Sequence, residues 1–448
     1  MNVHATRVRR GVLGLAVALA GAFGTASAQP TQLKTLAQAR GITIGAAITF
    51  PSSRTTFDTL VTRNFTGIVA ENDQKFGNIQ TANGTFTWTN SDRIVDFAQK
   101  FGLKLRFHNF IWHQQSSFVA NGSNGPAANS FTRDSAFGVM RRHINTVMGR
   151  YKTRNGGQMG VFTEWDVVNE AVARDSGDGD TGHIANGMRM GSGDISLLSR
   201  WVTYTQGETH DFDYVDSAFV IARRNDSTAK LVYNDYDAEG MGKKSNTVYS
   251  LVSKMLSRGI PVNAVGMQCH WHMGQAGTNS NGAWNPQEVA QNFARIAALG
   301  LDISITELDI RIASPSDSTK LYAQSAAYQN ILSICLAQPR CKNFFTWGVR
   351  DDGSWIPGKY SGFTAPLLFS GSGTTYTPKP AYYGLIATLQ ATAIRGEPGA
   401  RRRAPALTFR ANEPVRDLLG RSMNSLPDRP VFAVQKPASQ RTSQGTSR

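Results

Sequence analysis

Cysteine is scarce in this sequence: its 448 residues include only Cys269, Cys335 and Cys341. They form no Cys-x-x-Cys pair, which argues against a structural zinc site. Cys335 and Cys341 enclose a loop of five residues, and we expect them to form a disulfide in an exported protein. Cys269 ends a strand-like apolar stretch, so it is predicted to be a small buried core residue.

Long hydrophobic runs are also missing, so no membrane span is predicted. The one extended apolar run, residues 11–23, is shorter than the roughly 20 residues that a transmembrane helix needs. Three arginines precede this run, and Ala26-Ser27-Ala28 follows it. This order is typical of a secretory signal peptide. We therefore expect residues 1–28 to be cleaved and the protein to be secreted, to the extracellular space, the periplasm or the cell surface.

Acidic residues are outnumbered, 32 against 47 Lys and Arg, which gives a formal net charge of +15. Part of the excess lies in residues 395–448, which hold 11 Lys or Arg against 4 Asp or Glu. We expect this basic tail to be a solvated, disordered segment or a sorting module, since residues 418–434 loosely resemble the C-terminal sorting modules of some bacterial secreted enzymes. Nucleic-acid binding through the tail is the weaker alternative, and no nucleic-acid partner is predicted.

Residues 29–394 contain no internal repeat and no Pro/Ser-rich linker, which indicates one domain. Eight strand-like runs alternate with amphipathic stretches such as residues 91–101 and 246–259. We expect the first of these helices to begin with Ser91 as N-cap and the second to end at Gly259. The alternation predicts an α/β fold, a (β/α)₈ TIM barrel. The predicted strands begin near Ile42, Gly67, Lys104, Phe162, Lys230, Ala264, Asp302 and Phe344.

Polar side chains cluster where these strands end, which is where barrels of this kind hold their active sites. Two of the runs, WDVVNE at 165–170 and ISITELD at 303–309, each deliver a glutamate near the end of a strand. Burying a carboxylate is unfavourable unless it has partners, so Glu170 and Glu307 are predicted to face each other across a pocket. Such a pair is the minimal equipment for cleaving a glycosidic bond.

A family resemblance covers about residues 40–390. The chain resembles glycoside hydrolase family 10, the endo-1,4-β-xylanases, in motifs that occur in the family's order: ENDQK, HNFIWH, WDVVNEA, YNDY, VGMQCH, ITELDI, FFTWGVRDDGSWIPG, and APLLF followed by PKPAY. The resemblance implies that Glu170 is the general acid/base and Glu307 the nucleophile of a retaining mechanism. Retention requires the two carboxyl groups to lie about 5 to 5.5 Å apart.

The residues around this pair are assigned from the same resemblance. It implies that His270 donates to Glu307, that Asp309 orients His270, that Gln268 contacts Glu170, and that Asn169 bonds the 2-hydroxyl of the sugar. Strand periodicity agrees, because residues two apart share a face of a strand, as Gln268 and His270 do and as Glu307 and Asp309 do.

Sugar binding is assigned to polar and aromatic positions. By resemblance, Glu71, Asn72 and Lys75 hold the next sugar by its hydroxyls, and His108 contacts the sugar at the cleaved bond. Trp112, Trp347 and Trp355 supply flat apolar faces, and a tryptophan over the ring leaves no room for a hydroxymethyl group. No cofactor and no metal are expected, and the expected partner is xylan or a related cell-wall polysaccharide. The remaining tryptophans are interpreted as core residues: Trp88, Trp165, Trp201 and Trp284.

Some positions depart from the family pattern. Cys269 and Trp271 are larger or less usual than expected at the end of the sixth strand, so the aglycone side of the cleft is expected to be reshaped. Asp175, Asp178 and Asp180 resemble a calcium loop, but their spacing fails the EF-hand pattern and a solvated loop is expected. Two alternatives stay open: the same mechanism on β-glucan or β-1,3-xylan, and a non-catalytic polysaccharide-binding barrel. The sequence does not indicate an oligomeric state.

Overall fold

A computed structural model describes residues 33–116, 132–157, 160–173, 201, 213–273, 285–394, 415–416 and 422–423. The predicted signal peptide, the Asp-rich loop and most of the basic tail lie outside the described residues. Two units divide the chain, Met1–Gly396 and Glu397–Arg448. In the second unit, Val415–Arg416 and Ser422–Met423 form a short antiparallel pair of strands.

Eight parallel strands close into a barrel in the first unit. Each pairs with the next along the chain, and β8 pairs with both β7 and β1, so no strand of the barrel is left at an edge. The fold class predicted from the sequence is therefore confirmed. The strands are β1 Thr43–Ile48, β2 Gly67–Ala70, β3 Lys104–Phe107, β4 Phe162–Asn169, β5 Leu231–Asp235, β6 Ala264–Met267, β7 Asp302–Ala313 and β8 Cys341–Thr346.

One long helix follows each strand, as the amphipathic stretches predict. The helices are α1 Thr55–Asn64, α2 Thr89–Phe101, α3 Arg133–Arg154, α4 Asp213–Asn225, α5 Lys243–Ser257, α6 Pro286–Ala298, α7 Ser318–Ala337 and α8 Pro380–Ile394. A further helix, Leu33–Ala39, precedes β1. The shorter elements are the helices Phe76–Ile79, Asp351–Gly353 and Ile356–Lys359, and the strands Gln80–Ala82, Thr85–Phe86, His270–His272, Phe363–Thr364, Phe369–Ser370 and Thr377–Pro378.

The predicted helix boundaries need one correction. Helix α2 begins at Thr89 after Trp88, so Ser91 is not its N-cap; Ser91 is buried in the first turn and its hydroxyl contacts the Tyr151 hydroxyl instead. Helix α5 ends at Ser257, and Gly259 follows with a φ of +71°, a conformation that glycine adopts at little cost. Glycine thus marks the stop that the sequence indicated.

A small group of apolar side chains packs together inside the barrel, next to a glycine. Ala47, Val69, Phe345 and Trp347 form a small apolar cluster of their own, with Trp355 packed against it. A Cβ at Gly45 would lie 2.2 Å from the Phe345 ring, so only glycine leaves room for that ring. Two of the predicted sugar-binding residues, Trp347 and Trp355, thus belong to this cluster or pack against it.

Cys335 and Cys341 form the predicted disulfide, which joins the end of α7 to the start of β8. Cys269 is a free thiol and is buried, as expected of a core residue. Within the described ranges, no helix combines the length and the apolar character needed to cross a bilayer.

Candidate active site

The predicted polar site residues come from the carboxyl ends of five strands. Glu71 follows β2, His108 follows β3, Glu170 follows β4, Gln268 follows β6, and Glu307 lies within β7. Because all strands of the barrel are parallel, these ends lie at one rim. The structure therefore gathers in one place residues that are up to 236 positions apart in the sequence.

Glu307 is a buried carboxylate with strong partners. Its side chain accepts a hydrogen bond from Asn234 Nδ2 (2.7 Å), lies 3.3 Å from His270 Nε2, and lies 3.9 Å from His108 Nδ1. Burial alone would raise the pKa of Glu307, but His108, His270 and Arg106 outweigh burial and lower the pKa to about 2. Glu307 is thus an ionised carboxylate at neutral pH.

His270 lies between two carboxylates. Its Nε2 faces Glu307, and its Nδ1 lies 3.0 Å from Asp309 Oδ2. A carboxylate accepts but cannot donate, so both ring nitrogens act as donors in the imidazolium form. Burial lowers the pKa of His270, but Asp309 and Glu307 outweigh it and raise the pKa well above its usual value. Trp355 Nε1 also donates to Asp309 Oδ2 (2.7 Å), which ties one aromatic wall to this pair.

Glu170 is more accessible than Glu307. Its side chain is 12% exposed against 5% for Glu307, and its Oε1 accepts from Gln268 Nε2 (3.0 Å) and Asn169 Nδ2 (3.2 Å). The backbone of Glu170 has a φ of +57°, which is unusual for a residue with a side chain and costs about 1–3 kcal/mol. Such strain persists where the surrounding structure fixes it, and it is concentrated at functional sites.

Asn234 connects Glu307 to Asn169, which in turn donates to Glu170, and the sequence did not predict this role. Its Nδ2 lies 2.8 Å from Asn169 Oδ1 and 2.7 Å from Glu307 Oε1, and its Oδ1 accepts from Thr306 Oγ1 (2.7 Å). Gly266 on the neighbouring strand makes this possible, because a Cβ there would lie 2.2 Å from Asn234 Oδ1. The sequence signal was a polar Asn within the buried run of β5.

A buried charge network under His108 was also missed. The Arg106 guanidinium pairs with Asp166 Oδ2, and His108 Nδ1 lies 2.8 Å from the same oxygen. All three residues are buried: Arg106 lies on β3, His108 directly follows β3, and Asp166 lies on β4. Charged residues inside the strand-like runs KLRF and FTEWDVVN were the signal that could have found them, since unpaired charges are rarely buried.

The predicted sugar-binding residues lie together on the β2 side. Lys75 is buried, donates to Asn72 Oδ1 (2.9 Å), and places its Nζ 4.9 Å from the centre of the Trp112 ring and 6.0 Å from that of Trp347. Burial lowers the pKa of Lys75, although Glu307, Glu71 and Glu170 oppose this shift. These three glutamates therefore favour the charged form of Lys75, which burial disfavours.

Glu71 lies at the edge of this group, where its Oε2 accepts from Thr49 Oγ1 (2.7 Å). Burial raises its pKa, against the Thr49 hydrogen bond and Lys75.

The other described tryptophans, and the two residues that depart from the family pattern near the end of β6, belong to the core or pack against it. Trp165 and Trp201 are fully buried, and Trp88 packs against the core from a partly buried position. Cys269 and Trp271 are buried too. Trp284 and the Asp-rich loop lie outside the described residues.

The prediction that Gln268 and His270 share a face of one strand is wrong. Strand β6 ends at Met267 and pairing resumes only at His270, because Cys269 adopts a φ of +61°. Gln268 and His270 therefore do not share a face of a continuous strand. Gln268, before this break, donates to Glu170, and His270, after it, contacts Glu307.

Comparison with known proteins gives the family. The model of Glycosyl hydrolase family 10 matches residues 32–388. "Endo-1,4-beta-xylanase 1" of Gibberella zeae is 32% identical over 349 residues, covering 78% of this chain and 87% of that protein. "Endo-1,4-beta-xylanase A" of Fusarium oxysporum f. sp. lycopersici is 31% identical, covering 77% and 94%. The crystal structure of xylanase 10B from Thermotoga maritima superposes with a TM-score of 0.67 at 29% identity, covering 81% of this chain and 99% of that one. The chain belongs to glycosyl hydrolase family 10.

Proposed function

We propose that this protein is a retaining endo-1,4-β-xylanase in which Glu307 is the nucleophile and Glu170 the general acid/base. The observation that carries the proposal is the contrast between the two carboxyl groups. Glu307 is held ionised by Asn234, His270 and His108. Glu170 is the more exposed of the two; it accepts from the amides of Gln268 and Asn169, and His113 Nδ1 lies 3.9 Å from its Oε2. Relatives named as endo-1,4-β-xylanases support the substrate class.

The first half of the reaction forms a glycosyl-enzyme. A Glu307 oxygen attacks the anomeric carbon while the bond from that carbon to the leaving oxygen breaks, and Glu170 gives its proton to the leaving oxygen. In the second half, water attacks the same carbon and Glu170 takes its proton, while the ester bond to Glu307 breaks. Two inversions restore the original β configuration.

The donors to Glu307 have a second task in this scheme. When the nucleophile forms the ester, its negative charge disappears, so the Asn234 and His270 hydrogen bonds must hold it in position without trapping it. Asp309 keeps His270 charged and oriented, and the Trp355 indole restrains Asp309. The side chains that define the glycone side, Glu71, Asn72 and Lys75, are proposed to bind sugar hydroxyls.

The direct test compares hydrolysis of xylan and of carboxymethylcellulose by the mature chain and by its Glu307→Ala form. Xylan cleavage that disappears in the variant supports both function and nucleophile. Cleavage of the glucan alone would favour the alternative substrate, and a folded chain inactive on both would favour the binding barrel. Proton NMR of the first product tests retention: the β-anomer must appear before the α-anomer.

Azide offers a sharper test of which carboxylate attacks. In Glu307→Ala it enters the space of the lost carboxylate and gives the inverted, α-linked xylosyl azide. In Glu170→Ala it attacks the glycosyl-enzyme from the other face and gives the β-linked azide. The reverse pattern would exchange the two assigned roles.

We also propose that the protein is exported through a signal peptide. The basic and apolar pattern of residues 1–28 and the Cys335–Cys341 disulfide support this, because disulfides persist in oxidising compartments. Mass spectrometry of the protein from a secreting host should find an N-terminus at Gln29. A product retained inside the cell with residues 1–28 intact would contradict the proposal.

A further inference from the structure

Glu239 is a buried carboxylate to which the proposed mechanism gives no task. It lies after β5, is only 4% exposed, and accepts a hydrogen bond on Oε1 from the backbone N–H of Cys269 (2.8 Å). A buried carboxylate needs a partner to be tolerated, and a buried backbone N–H needs an acceptor. Each of these two groups therefore satisfies the other.

The Cys269 N–H needs this acceptor because the strand is interrupted there. Gln268 N still donates to Asp235 O, and His270 already pairs with Asp309 in the next strand. Between them Cys269 has a φ of +61°. The Glu239 carboxylate thus replaces a sheet partner at the one residue that separates Gln268 from His270.

Both neighbours of Cys269 act on the proposed catalytic carboxyl groups. Gln268 Nε2 donates to Glu170 Oε1, and His270 Nε2 faces Glu307 Oε2. A turn of the Cys269 peptide would move both side chains at once. The hydrogen bond from the Cys269 N–H to Glu239 Oε1 restrains this peptide.

Glu239 is itself anchored from helix α6. Asn292 Nδ2 donates to the backbone oxygens of Ala238 (2.7 Å) and Glu239 (3.0 Å), and Arg295 Nε donates to Asn292 Oδ1 (2.7 Å). Asn292 is fully buried. The outer helix layer is thereby connected to the break in strand β6.

We propose that Glu239 is a positioning residue that holds the Cys269 peptide, and through it Gln268 and His270, in the arrangement that serves Glu170 and Glu307. This inference depends on the proposed glycosidase function. A neutral acceptor suffices for the task, because burial raises the pKa of the Glu239 carboxyl to about 7, so that a large fraction is uncharged near neutral pH. An amide in its place should therefore retain much of the function.

The experiment uses Glu239→Leu, which removes the acceptor, and Glu239→Gln, which keeps one. Glu164 provides the matched control, since it is equally buried but lies on β4 at the opposite end of the barrel; Glu164→Leu removes a carboxylate without touching the Cys269 peptide. Steady-state rates are measured with 2,4-dinitrophenyl β-xylobioside, whose leaving group needs no acid, and with phenyl β-xylobioside, whose leaving group does. Thermal unfolding defines a temperature at which every variant is folded.

We expect Glu239→Leu to lower kcat about 30- to 100-fold on both substrates, with KM within about threefold, because both carboxyl groups lose their oriented partner. Glu239→Gln should stay within about fivefold of the wild type, and Glu164→Leu within about threefold. Asn292→Ala, which releases the Ala238 and Glu239 carbonyls and keeps the carboxylate, should lower kcat about tenfold and provides the test if Glu239→Leu does not fold.

Three results would overturn the inference: wild-type kcat in Glu239→Leu or, where that variant does not fold, in Asn292→Ala; equal losses in the Leu and Gln variants; or a loss confined to the phenyl substrate. A wild-type chain that cleaves neither xyloside would overturn the proposed function, and the inference with it. An active wild type with an unaffected Glu239→Leu overturns the inference alone.

Discussion

Two buried glutamates in one barrel differ in what surrounds them. Glu307 lies at the carboxyl ends of the strands and Glu164 near the amino end of β4, and both residues are buried. Burial raises the pKa of both carboxyl groups, yet the pKa of Glu164 stays raised whereas that of Glu307 falls to about 2. Burial alone therefore does not decide the charge of a carboxyl group in this barrel.

The difference lies in the donors. Glu164 Oε1 accepts from Ser304 Oγ (2.8 Å) and Asn343 Nδ2 (2.6 Å), both neutral, while its Oε2 has no hydrogen-bond donor among the described residues. Arg106, Lys230 and the Ser304 hydrogen bond oppose the effect of burial on the pKa of Glu164 but do not outweigh it. Glu307 has the amide of Asn234 and, in addition, two histidines. A carboxylate that must attack needs to be ionised, whereas a carboxylate that only fills a polar site does not.

The largest expected effect tests this contrast directly. Glu307→Gln should lower kcat/KM on xylan by about 10⁴-fold or more, because an amide cannot attack the anomeric carbon. Glu164→Gln changes the same atoms at the other end of the barrel and should leave kcat/KM within about threefold. Initial-rate assays on both variants decide the matter: a comparable loss in Glu164→Gln would show that any change of a buried carboxylate disrupts the site.

A smaller effect is expected when Glu307 remains and its charged partner is removed. His270→Ala should lower kcat about 10²- to 10³-fold, the range for one oriented donor, with circular dichroism confirming the fold. His143 is the control, since it is a fully buried histidine whose pKa burial lowers to about 3 and whose Nδ1 contacts Gln80 and not one of the two proposed catalytic carboxyl groups. His143→Gln should change stability more than kcat; a loss of kcat equal to that of His270→Ala would contradict the assignment.

A third variant disturbs only the space around Asn234. Gly266→Ala places a Cβ 2.2 Å from Asn234 Oδ1, so we expect a loss of about 1–3 kcal/mol in the free energy of unfolding and about a tenfold lower kcat. Gly149→Ala, inside α3 with nothing within 4 Å of the new Cβ, should instead stabilise by about 0.5–1 kcal/mol. Urea denaturation and xylan assays measure both changes, and equal stabilities of the two variants would contradict the crowding argument.

The fold was predictable because most residues of its eight strands are apolar and the strands alternate with amphipathic helices. The predicted starts at Gly67, Lys104, Phe162, Ala264 and Asp302 match the observed starts. The start of β8 was placed three residues late, since Lys342 and Asn343 interrupt the apolar pattern; Asn343 is polar because it donates to Glu164. The Ser91 error has a similar cause: its hydroxyl is used by Tyr151 across the helix layer, which no local rule reveals.

The sequence predicted which residues form the site, but it predicted only some of the contacts between them. Motifs placed Glu170, Glu307 and His270, yet they carried no information that Asn234 joins two strands or that Arg106 and Asp166 lie under His108. These contacts depend on register between strands and on the room left by Gly266. The break at Cys269 was missed because a cysteine in an apolar run gives no signal for a positive φ.

The smallest expected effect concerns how stability depends on pH. Glu307 and Glu164, at the two ends of the barrel, should contribute to this dependence with opposite signs. The pKa of Glu307 is lowered in the folded state, so its contribution is present above the unfolded value near 4.5 and is lost as pH falls toward 2. The pKa of Glu164 is raised, so its contribution is present below about 4.5 and is lost as pH rises through the folded value. Relative to the wild type, the free energy of unfolding of Glu164→Gln should therefore rise as the pH increases above about 4.5. That of Glu307→Gln should instead rise, relative to the wild type, as the pH falls from about 4.5 toward 2. Urea unfolding across this range measures both slopes, and slopes of the same sign would show that the two carboxylates do not differ as their surroundings predict.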